Sequence, residues 1–170
     1  KILFVGLAPA AHGGTRTGRV FTGDKSSDFL YKCLFNAKIS NQSTSNHVND
    51  GLKLKEAFIT PALKCVPPED KPLKIELNNC SKFFNNELNI LKNLKVVVAL
   101  GKIAFDTCKI FYKDKFDVPK DFQFGHGKIY KLANGIKLVG CYHPSPRNVN
   151  TGRINVKMMT DLFIKIKKLN

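Results

Sequence analysis

The chain has 170 residues, 43% of them hydrophobic, which suits one domain with a single buried core. Lysine and arginine number 28 against 13 acidic residues, a formal charge of +15, so DNA or RNA is the leading partner class, the alternative being that the charge serves only solubility. No apolar run approaches the roughly 20 residues that span a bilayer, and five irregularly spaced cysteines argue against a disulfide framework, so we expect an intracellular, cytoplasmic protein.

The first half of the chain alternates strand-like and helix-like segments. Lys1–Gly6 is an apolar run that predicts a buried parallel strand, and Ser26 or Ser27 is expected to cap the helix after the next loop. Ala57–Thr60 predicts a second strand, which leads into a proline-rich connection. In the helix that follows, apolar residues recur every three or four positions, which places Cys80 on its inward face.

The second half continues this alternation. Lys95–Leu100 predicts a third strand with a helix after it, and the Asn-Gly pair at 134–135 predicts a hairpin turn between two further strands. A last helix begins near Asn155, with an apolar stripe on one side. We therefore expect a single domain over residues 1–170, a three-layer α/β/α fold with a central, mainly parallel sheet of four to five strands.

Three loops are expected to meet where ligands bind in such folds, beyond the carboxyl ends of the strands. The loop after the first strand is long and rich in glycine. Its residues Arg16 and Arg19 can contact phosphates, and the ring of Phe21 can stack on a base. The alternative for this loop is a surface turn with routine arginines. The proline-rich loop after the second strand and the loop after Tyr142 complete the set.

The loop after Tyr142 contains the sharpest candidate for catalysis. It reads HPSPRN from residue 143, and two prolines around a serine stiffen it. His143 is thereby held at the end of a strand, where an imidazole can donate a hydrogen bond to a developing oxyanion; the alternative is a structural histidine. His12, His47 and His126 have weaker claims, and His126 lies in a turn-like Gly-His-Gly segment.

The cysteines divide into two groups. Cys65 and Cys80 have a spacing that suits two ligands of zinc or of an iron–sulfur cluster without being diagnostic. Cys33 and Cys108 lie on helix-like stretches and Cys141 lies in a strand, so we expect these three to be buried as small hydrophobic residues. A metal-dependent hydrolase is a weak alternative, because the sequence shows no clustered ligand set with an open position.

Three motifs taken together resemble the uracil-DNA glycosylase superfamily. They read GLAPAAHGG and RTGRVFTGD after the first strand, ITPALKCVPPEDKP in the middle, and HPSPRNVNTGR near the end. The resemblance is to the type b, or family 5, branch found in archaea and some bacteria. It implies a parallel sheet between helices and a monofunctional glycosylase that flips uracil out of DNA and cuts its N-glycosidic bond, leaving an abasic site.

The resemblance also implies catalytic roles. His143 matches the histidine that stabilises negative charge on the departing base. Leu7 and Ala8 stand where other branches carry a polar residue, so Asp24 of the FTGD segment is expected to position water or oppose the cationic sugar. The alternative for Asp24 is a structural cap on the following helix. Phe21 matches the aromatic residue that stacks on the flipped base.

Substrate and DNA contacts follow from the same motifs. Pro61 stands where relatives often have asparagine, which weakens strict recognition of uracil and makes a broader range including hypoxanthine more plausible. The residues expected to bind the substrate are Gly6, Leu7, Ala8, Pro9, Ala10, Phe21 and Pro61. The residues expected to contact DNA are Arg16, Arg19, Ser145, Arg147, Asn148 and Arg153. Of these, Arg147 and Asn148 fall on a loop that wedges into the duplex.

The family's [4Fe–4S] cluster is a further expectation. Cys65 and Cys80 match two of its four cysteine ligands, and the other two are expected upstream of Lys1. Either that segment lies outside this chain or the cluster has been lost. The implied partner is double- or single-stranded DNA with deaminated bases, bound by a monomer. The rival hypothesis is a catalytically silent nucleic-acid-binding module, supported by Pro61 and by the absence of a polar residue at positions 7–8.

Overall fold

The fold is built on a five-stranded sheet. In the computed structural model, which describes residues 1–113 and 121–169, the strands are β1 (Ile2–Gly6), β2 (Ala57–Pro61), β3 (Val96–Leu100), β4 (Ile129–Lys131) and β5 (Lys137–Cys141). Their order across the sheet is β2-β1-β3-β5-β4. Strands β2, β1, β3 and β5 run parallel to one another, and β4 pairs antiparallel with β5 at one edge. Strands β1 and β3 are buried along their whole length, as expected for central strands covered on both faces.

Helices cover both faces of this sheet. They are α1 (Lys25–Asn36), α2 (Lys74–Ile90), α3 (Lys102–Lys113), α4 (Pro146–Asn150) and α5 (Val156–Lys167). Helices α1 and α5 pack on one face, where the ring centroids of Phe4 and Phe163 lie 5.1 Å apart, edge to face. Helices α2 and α3 cover the other face, where Phe84 and Phe105 are buried. The predicted three-layer α/β/α fold is therefore confirmed.

The predicted hairpin turn at 134–135 and the predicted start of the last helix near Asn155 are also confirmed. Gly135 has a φ of 83°, which favours glycine, and the backbone N–H of Leu132 donates to the Ile136 carbonyl at 2.8 Å across the turn. Asn155 caps α5 through a hydrogen bond from the Met158 N–H, at 2.9 Å. Across the described ranges, no helix is both long and apolar enough to cross a bilayer.

The N-cap of helix α1 is the residue for which the sequence gives capping as the alternative role. Asp24, not Ser26 or Ser27, is the N-cap. The Ser27 N–H donates to Asp24 Oδ1 at 2.8 Å, and the Asp24 N–H donates to Ser27 Oγ at 3.0 Å. This reciprocal pair is a capping box, in which two backbone donors at the start of the helix are satisfied together.

Three short helical segments lie within loops for which the sequence predicts no regular structure. One is a 3₁₀ turn at Pro68–Asp70, in the proline-rich connection after β2. A single turn of π-helix occupies Ala11–Thr15 in the first loop, and α4 follows directly after the His143 segment. Ser145 is the N-cap of α4, and Pro146 is its first residue. Ser-Pro is a strong start signal, because proline at the first helical position has a favourable φ and needs no hydrogen-bond partner for its nitrogen.

The three cysteines expected in the core are buried, as predicted. Burial raises the pKa of the Cys33 thiol to about 11 and raises those of Cys108 and Cys141 further. All three thiols are therefore protonated at neutral pH and serve as small apolar groups.

Candidate active site

The carboxyl ends of β1 and β2 place the first two motifs side by side. Gly6 and Pro61 are register partners at the ends of these strands. Beyond them, the N–H groups of Ala62 and Leu63 donate to the carbonyls of Gly6 and Leu7, at 2.9 and 2.8 Å. The parallel pairing thus continues past the strands, and it brings Pro61 next to the start of the first loop.

The first loop leaves β1 through small and apolar residues. Leu7, Ala8 and Pro9 are half-buried, and Ala10 is exposed. The carbonyl of Ala10 accepts hydrogen bonds from the N–H groups of Gly13 and Thr15, both at 3.1 Å, which starts the π-helical turn. This stretch therefore contributes backbone and apolar surface to the edge of the sheet, and no polar side chain.

His143 lies at the same edge, directly after β5. Its ring centroid is 5.9 Å from that of Phe21, with an interplanar angle of 37°. The side-chain Nδ2 of Asn148 donates to the His143 carbonyl at 2.9 Å, so α4 holds the loop in place. Gly101, with a φ of 103°, lies next to the His143 side chain at the end of β3. The third motif, which begins at His143, therefore lies against the first motif, which includes Phe21.

The electrostatic setting keeps the His143 imidazole neutral. Burial lowers the pKa of His143, and the negative charge of Asp24 partly opposes that shift. The uncharged ring is therefore the dominant form at neutral pH. A neutral imidazole retains one N–H, which it can donate to an oxygen atom that becomes negatively charged.

Phe21 is held in a strained conformation beside this histidine. The residue is 7% exposed, and its φ of 51° is in the left-handed region that bulky side chains rarely adopt. Its ring packs directly over Gly6, where an added Cβ would lie 2.8 Å from Phe21 Cε2. Strain of this kind persists only where the surroundings enforce it, and it clusters at functional sites.

Asp24 has a structural role that the sequence analysis treated as the alternative. Besides capping α1 through Oδ1, its carboxylate lies against the π-helical turn, where a Cβ at Gly13 would collide with Oδ2. Its charge also acts on His143. The cap is thus an observed function of Asp24, and a second function in catalysis is compatible with it, because the two carboxylate oxygens lie in different surroundings.

The Arg19 side chain is bound by other residues of the protein and points only partly to solvent. Its side chain is 21% exposed and forms an ion pair with Asp50, Nη2 to Oδ2, at 2.7 Å. It also donates to Thr22 Oγ1 and Ser45 Oγ, both at 2.9 Å. These bonds tie the first loop to the polar segment 41–50. The Arg19 guanidinium is therefore occupied by partners within the protein.

This ion pair predicts an acid-sensitive contribution to stability. The Asp50 side chain is 7% exposed, and hydrogen bonds, that from Arg19 first among them, hold the pKa of Asp50 well below its usual range. Asp50→Ala is expected to cost about 3 kcal/mol at pH 7, because it leaves a mostly buried guanidinium unpaired. Since the folded-state pKa is depressed, this stabilisation is present above the ordinary carboxyl pKa of about 4 and is lost as the pH falls towards the folded value.

Urea unfolding at pH 7 and at pH 3 measures the cost of Asp50→Ala and the dependence of that cost on pH. The free energy of unfolding of Asp50→Ala should fall less steeply with acid than that of the wild type. Asp161→Ala is the matched control, because Asp161 pairs with Lys157 at an exposed position and its loss should cost under about 0.5 kcal/mol. Equal losses in the two variants would contradict the assignment.

The other residues expected to contact DNA fall into two groups. Arg16, Arg147 and Arg153 are exposed, although Arg16 Nε donates to the His12 carbonyl at 2.9 Å and the Arg153 guanidinium lies 4.7 Å from the Tyr142 ring centroid. Ser145 and Asn148 instead have structural partners, since Ser145 caps α4 and Asn148 holds the His143 carbonyl. Arg147 is thus the outward-facing side chain next to the His143 loop.

Lys64, Thr60 and Glu87 form a polar network next to Pro61, which the sequence does not predict. Lys64 Nζ donates to Thr60 Oγ1 at 2.8 Å, to the Pro61 carbonyl at 3.0 Å and to both carboxylate oxygens of Glu87, at 2.8 and 2.9 Å. Thr60 Oγ1 also donates to Glu87 Oε2 at 2.6 Å. The network anchors the loop after β2 to helix α2. No local signal identifies it, because Glu87 is 23 residues away from Lys64.

Cys65 and Cys80 line one cavity. The cavity measures about 190 Å³ and lies between the loop after β2 and helix α2. Cys65 is exposed, and Cys80 is half-buried rather than fully inward. Two accessible thiols at one cavity fit half of a four-cysteine ligand set. Within residues 1–113 and 121–169, no group of three or more histidine, cysteine and acidic side chains is placed to hold a metal ion.

Comparison with known proteins gives one consistent family. A family model described as the uracil DNA glycosylase superfamily matches residues 1–167. The chain is similar to the type-5 uracil-DNA glycosylase of Mycobacterium bovis, 41% identical over 170 residues, which covers 99% of this chain and 63% of that protein. It is also 41% identical over 163 residues to the type-5 uracil-DNA glycosylase of Pyrobaculum aerophilum, covering 96% of this chain and 69% of that protein.

A more distant relative is the type-4 uracil-DNA glycosylase of Sulfurisphaera tokodaii, 27% identical over 173 residues, with 99% of this chain and 70% of that protein covered. The chain spans 63% of the length of the mycobacterial relative, which is less than two thirds. The match to the family nevertheless extends over nearly all of the chain. The chain therefore belongs to the uracil DNA glycosylase superfamily, and the resemblance of its three motifs to the type 5 branch is confirmed.

Proposed function

We propose that this protein is a monofunctional uracil-DNA glycosylase, which hydrolyses the N-glycosidic bond of a uracil flipped out of DNA. One observation supports the proposal above all others. A neutral His143 imidazole lies beside the strained, buried ring of Phe21 at the carboxyl edge of the sheet. An aromatic surface next to a hydrogen-bond donor is what a flipped pyrimidine needs for binding and for departure as an anion. The names of the type-5 relatives point to the same activity.

The proposed reaction separates charge, and the site can stabilise both ends. As the bond between the sugar C1′ and the base N1 breaks, its electron pair leaves with uracil, and positive charge develops on the sugar. His143 donates its N–H to the uracil carbonyl oxygen on which the negative charge accumulates. Asp24 opposes the sugar cation and orients the water that adds to C1′. The proton lost by that water balances the charge of the uracil anion.

The base pocket is proposed to recognise its ligand mainly by shape. Phe21 stacks on the flipped base, and Leu7–Ala10 form an apolar wall. Pro61 has no side-chain donor and no backbone N–H, and its carbonyl already accepts from Lys64. Because this side of the pocket supplies no donor that selects uracil, we propose that the range extends to hypoxanthine and other deaminated bases.

DNA binding is proposed to use the exposed arginines of the first and third loops. Arg16 and Arg153 contact phosphates, and Arg147 on α4 enters the duplex where the flipped nucleotide has left. The formal charge of +15 favours this association and makes it sensitive to salt. We propose that the protein acts as a monomer on genomic DNA in a prokaryotic cytoplasm.

The cluster of the family is proposed to use Cys65 and Cys80 as two of its ligands. A [4Fe–4S] cluster bound there would cross-link the loop after β2 to helix α2. The Lys64–Glu87 ion pair already joins the same loop and helix. Both links would support the backbone that presents Pro61 to the base pocket.

The decisive experiment is incubation of the protein with a uracil-containing duplex, followed by heating in alkali. An active glycosylase leaves an abasic site, which alkali converts into a strand break, and a matched duplex with thymine in place of uracil should stay intact. Duplexes with hypoxanthine, xanthine and mismatched thymine then define the range. Binding to the uracil duplex without any strand break would instead identify a catalytically silent nucleic-acid-binding module.

A further inference from the structure

The segment around His126 packs unusually closely against the end of β5. Gly127 donates to the Gly140 carbonyl at 2.8 Å, and Gly140 donates to the Lys128 carbonyl at 3.0 Å. A Cβ at Gly140 would collide with the carbonyl oxygen of Gly125. Glycine at position 140 therefore allows the Gly125–Lys128 segment to lie directly on the strand that leads to His143.

His126 provides the next hydrogen bond of this pairing with its side chain. Its Nδ1 accepts from the backbone N–H of Tyr142 at 3.3 Å. The imidazole also stacks on the Tyr142 ring, with centroids 5.2 Å apart and an angle of 27° between the planes. The imidazole thus supplies an acceptor where the backbone pairing of β4 and β5 ends.

The hydrogen bond to Nδ1 requires one tautomer of the His126 ring. Because Nδ1 accepts, the neutral ring carries its proton on Nε2. Burial lowers the pKa of His126, which favours this neutral form. The neutral imidazole therefore holds the Cys141–Tyr142 peptide, one residue before the backbone of His143.

From these contacts we infer that His126 is a positioning residue for His143. This inference rests on the proposed glycosylase function. His126 holds the Cys141–Tyr142 peptide through the Tyr142 N–H, and Asn148 holds the peptide after His143 through the His143 carbonyl. The backbone is thereby held on both sides of His143, which fixes the Cα from which the imidazole reaches the base. A shift of about 1 Å in such a group can cost about 10²-fold in rate.

Three substitutions test the hydrogen bond from the Tyr142 N–H to His126. Leucine removes the acceptor. Asparagine places its Oδ1 where Nδ1 stands and keeps the acceptor, whereas glutamine carries its amide one bond farther out, at the position of Nε2, and does not keep it. We expect His126→Leu to lower kcat on a uracil duplex by about 10- to 100-fold with little change in KM. His126→Asn should recover most of that loss, and His126→Gln should not.

The controls separate positioning from general stability. His47→Leu, at an exposed loop position, should leave kcat and Tm unchanged. If His126→Leu does not fold, the comparison of the asparagine and glutamine variants still decides the question. Full activity in His126→Leu, or equal loss in the asparagine and glutamine variants, would overturn the inference while leaving the proposed function intact. A wild-type protein that cuts no uracil duplex would overturn the proposed function instead.

Discussion

Replacement of His143 by alanine is expected to slow uracil release by about 10²- to 10³-fold, the effect of removing one well-placed oxyanion donor. The imidazole acts on charge that exists only as the glycosidic bond breaks, so the affinity for DNA should change little. Single-turnover cleavage of a uracil duplex measures the chemical step, and a gel-shift titration measures binding.

His12→Ala is the matched control for this prediction. His12 is exposed in the first loop, and only its carbonyl oxygen, which the substitution preserves, accepts a hydrogen bond from Arg16. The His12→Ala variant should therefore cleave the uracil duplex at the wild-type rate. Undiminished single-turnover cleavage by His143→Ala would remove His143 from the mechanism, and a loss confined to DNA binding would reassign it to substrate capture.

The second large effect is expected at Asp24, where capping and catalysis can be separated. Asp24→Asn keeps an oxygen that can accept from the Ser27 N–H, so stability should change little, whereas Asp24→Ala should lose about 1 kcal/mol with the cap. Both variants lose the carboxylate charge and should cleave slower by on the order of 10²-fold. Denaturant unfolding and single-turnover cleavage, measured on both variants, distinguish the two roles.

Removing the charge of Asp24 is also expected to change the pKa of His143. Because the Asp24 carboxylate opposes the lowering of the His143 pKa by burial, removing that charge should lower the pKa of His143 further. An NMR titration of the imidazole in Asp24→Asn measures the shift. Wild-type cleavage rates in Asp24→Asn would show that Asp24 serves α1 as a cap and has no part in the chemistry.

Much of the fold could be predicted because its signals are local. The run Val96–Leu100 has the composition of a buried strand, the Asn-Gly pair at 134–135 selects a tight hairpin turn, and the stripe that includes Met159 and Phe163 repeats at helical spacing. The three motifs likewise identified the family and gave His143 and Phe21 separate roles toward the flipped base, and the structure places their rings 5.9 Å apart.

What only the tertiary structure decided is the set of partners that each polar side chain finds. Arg19 meets Asp50 across 31 positions, Lys64 meets Glu87 across 23, and His126 meets Tyr142 across 16. In the sequence, Arg19, Asp50, Lys64 and Glu87 are indistinguishable from the many solvated lysines, arginines and acids of a strongly charged chain, and His126 is typical of a turn. Hydrogen-bond partners follow from distances of about 3 Å between segments, and periodicity and composition contain no information on those distances.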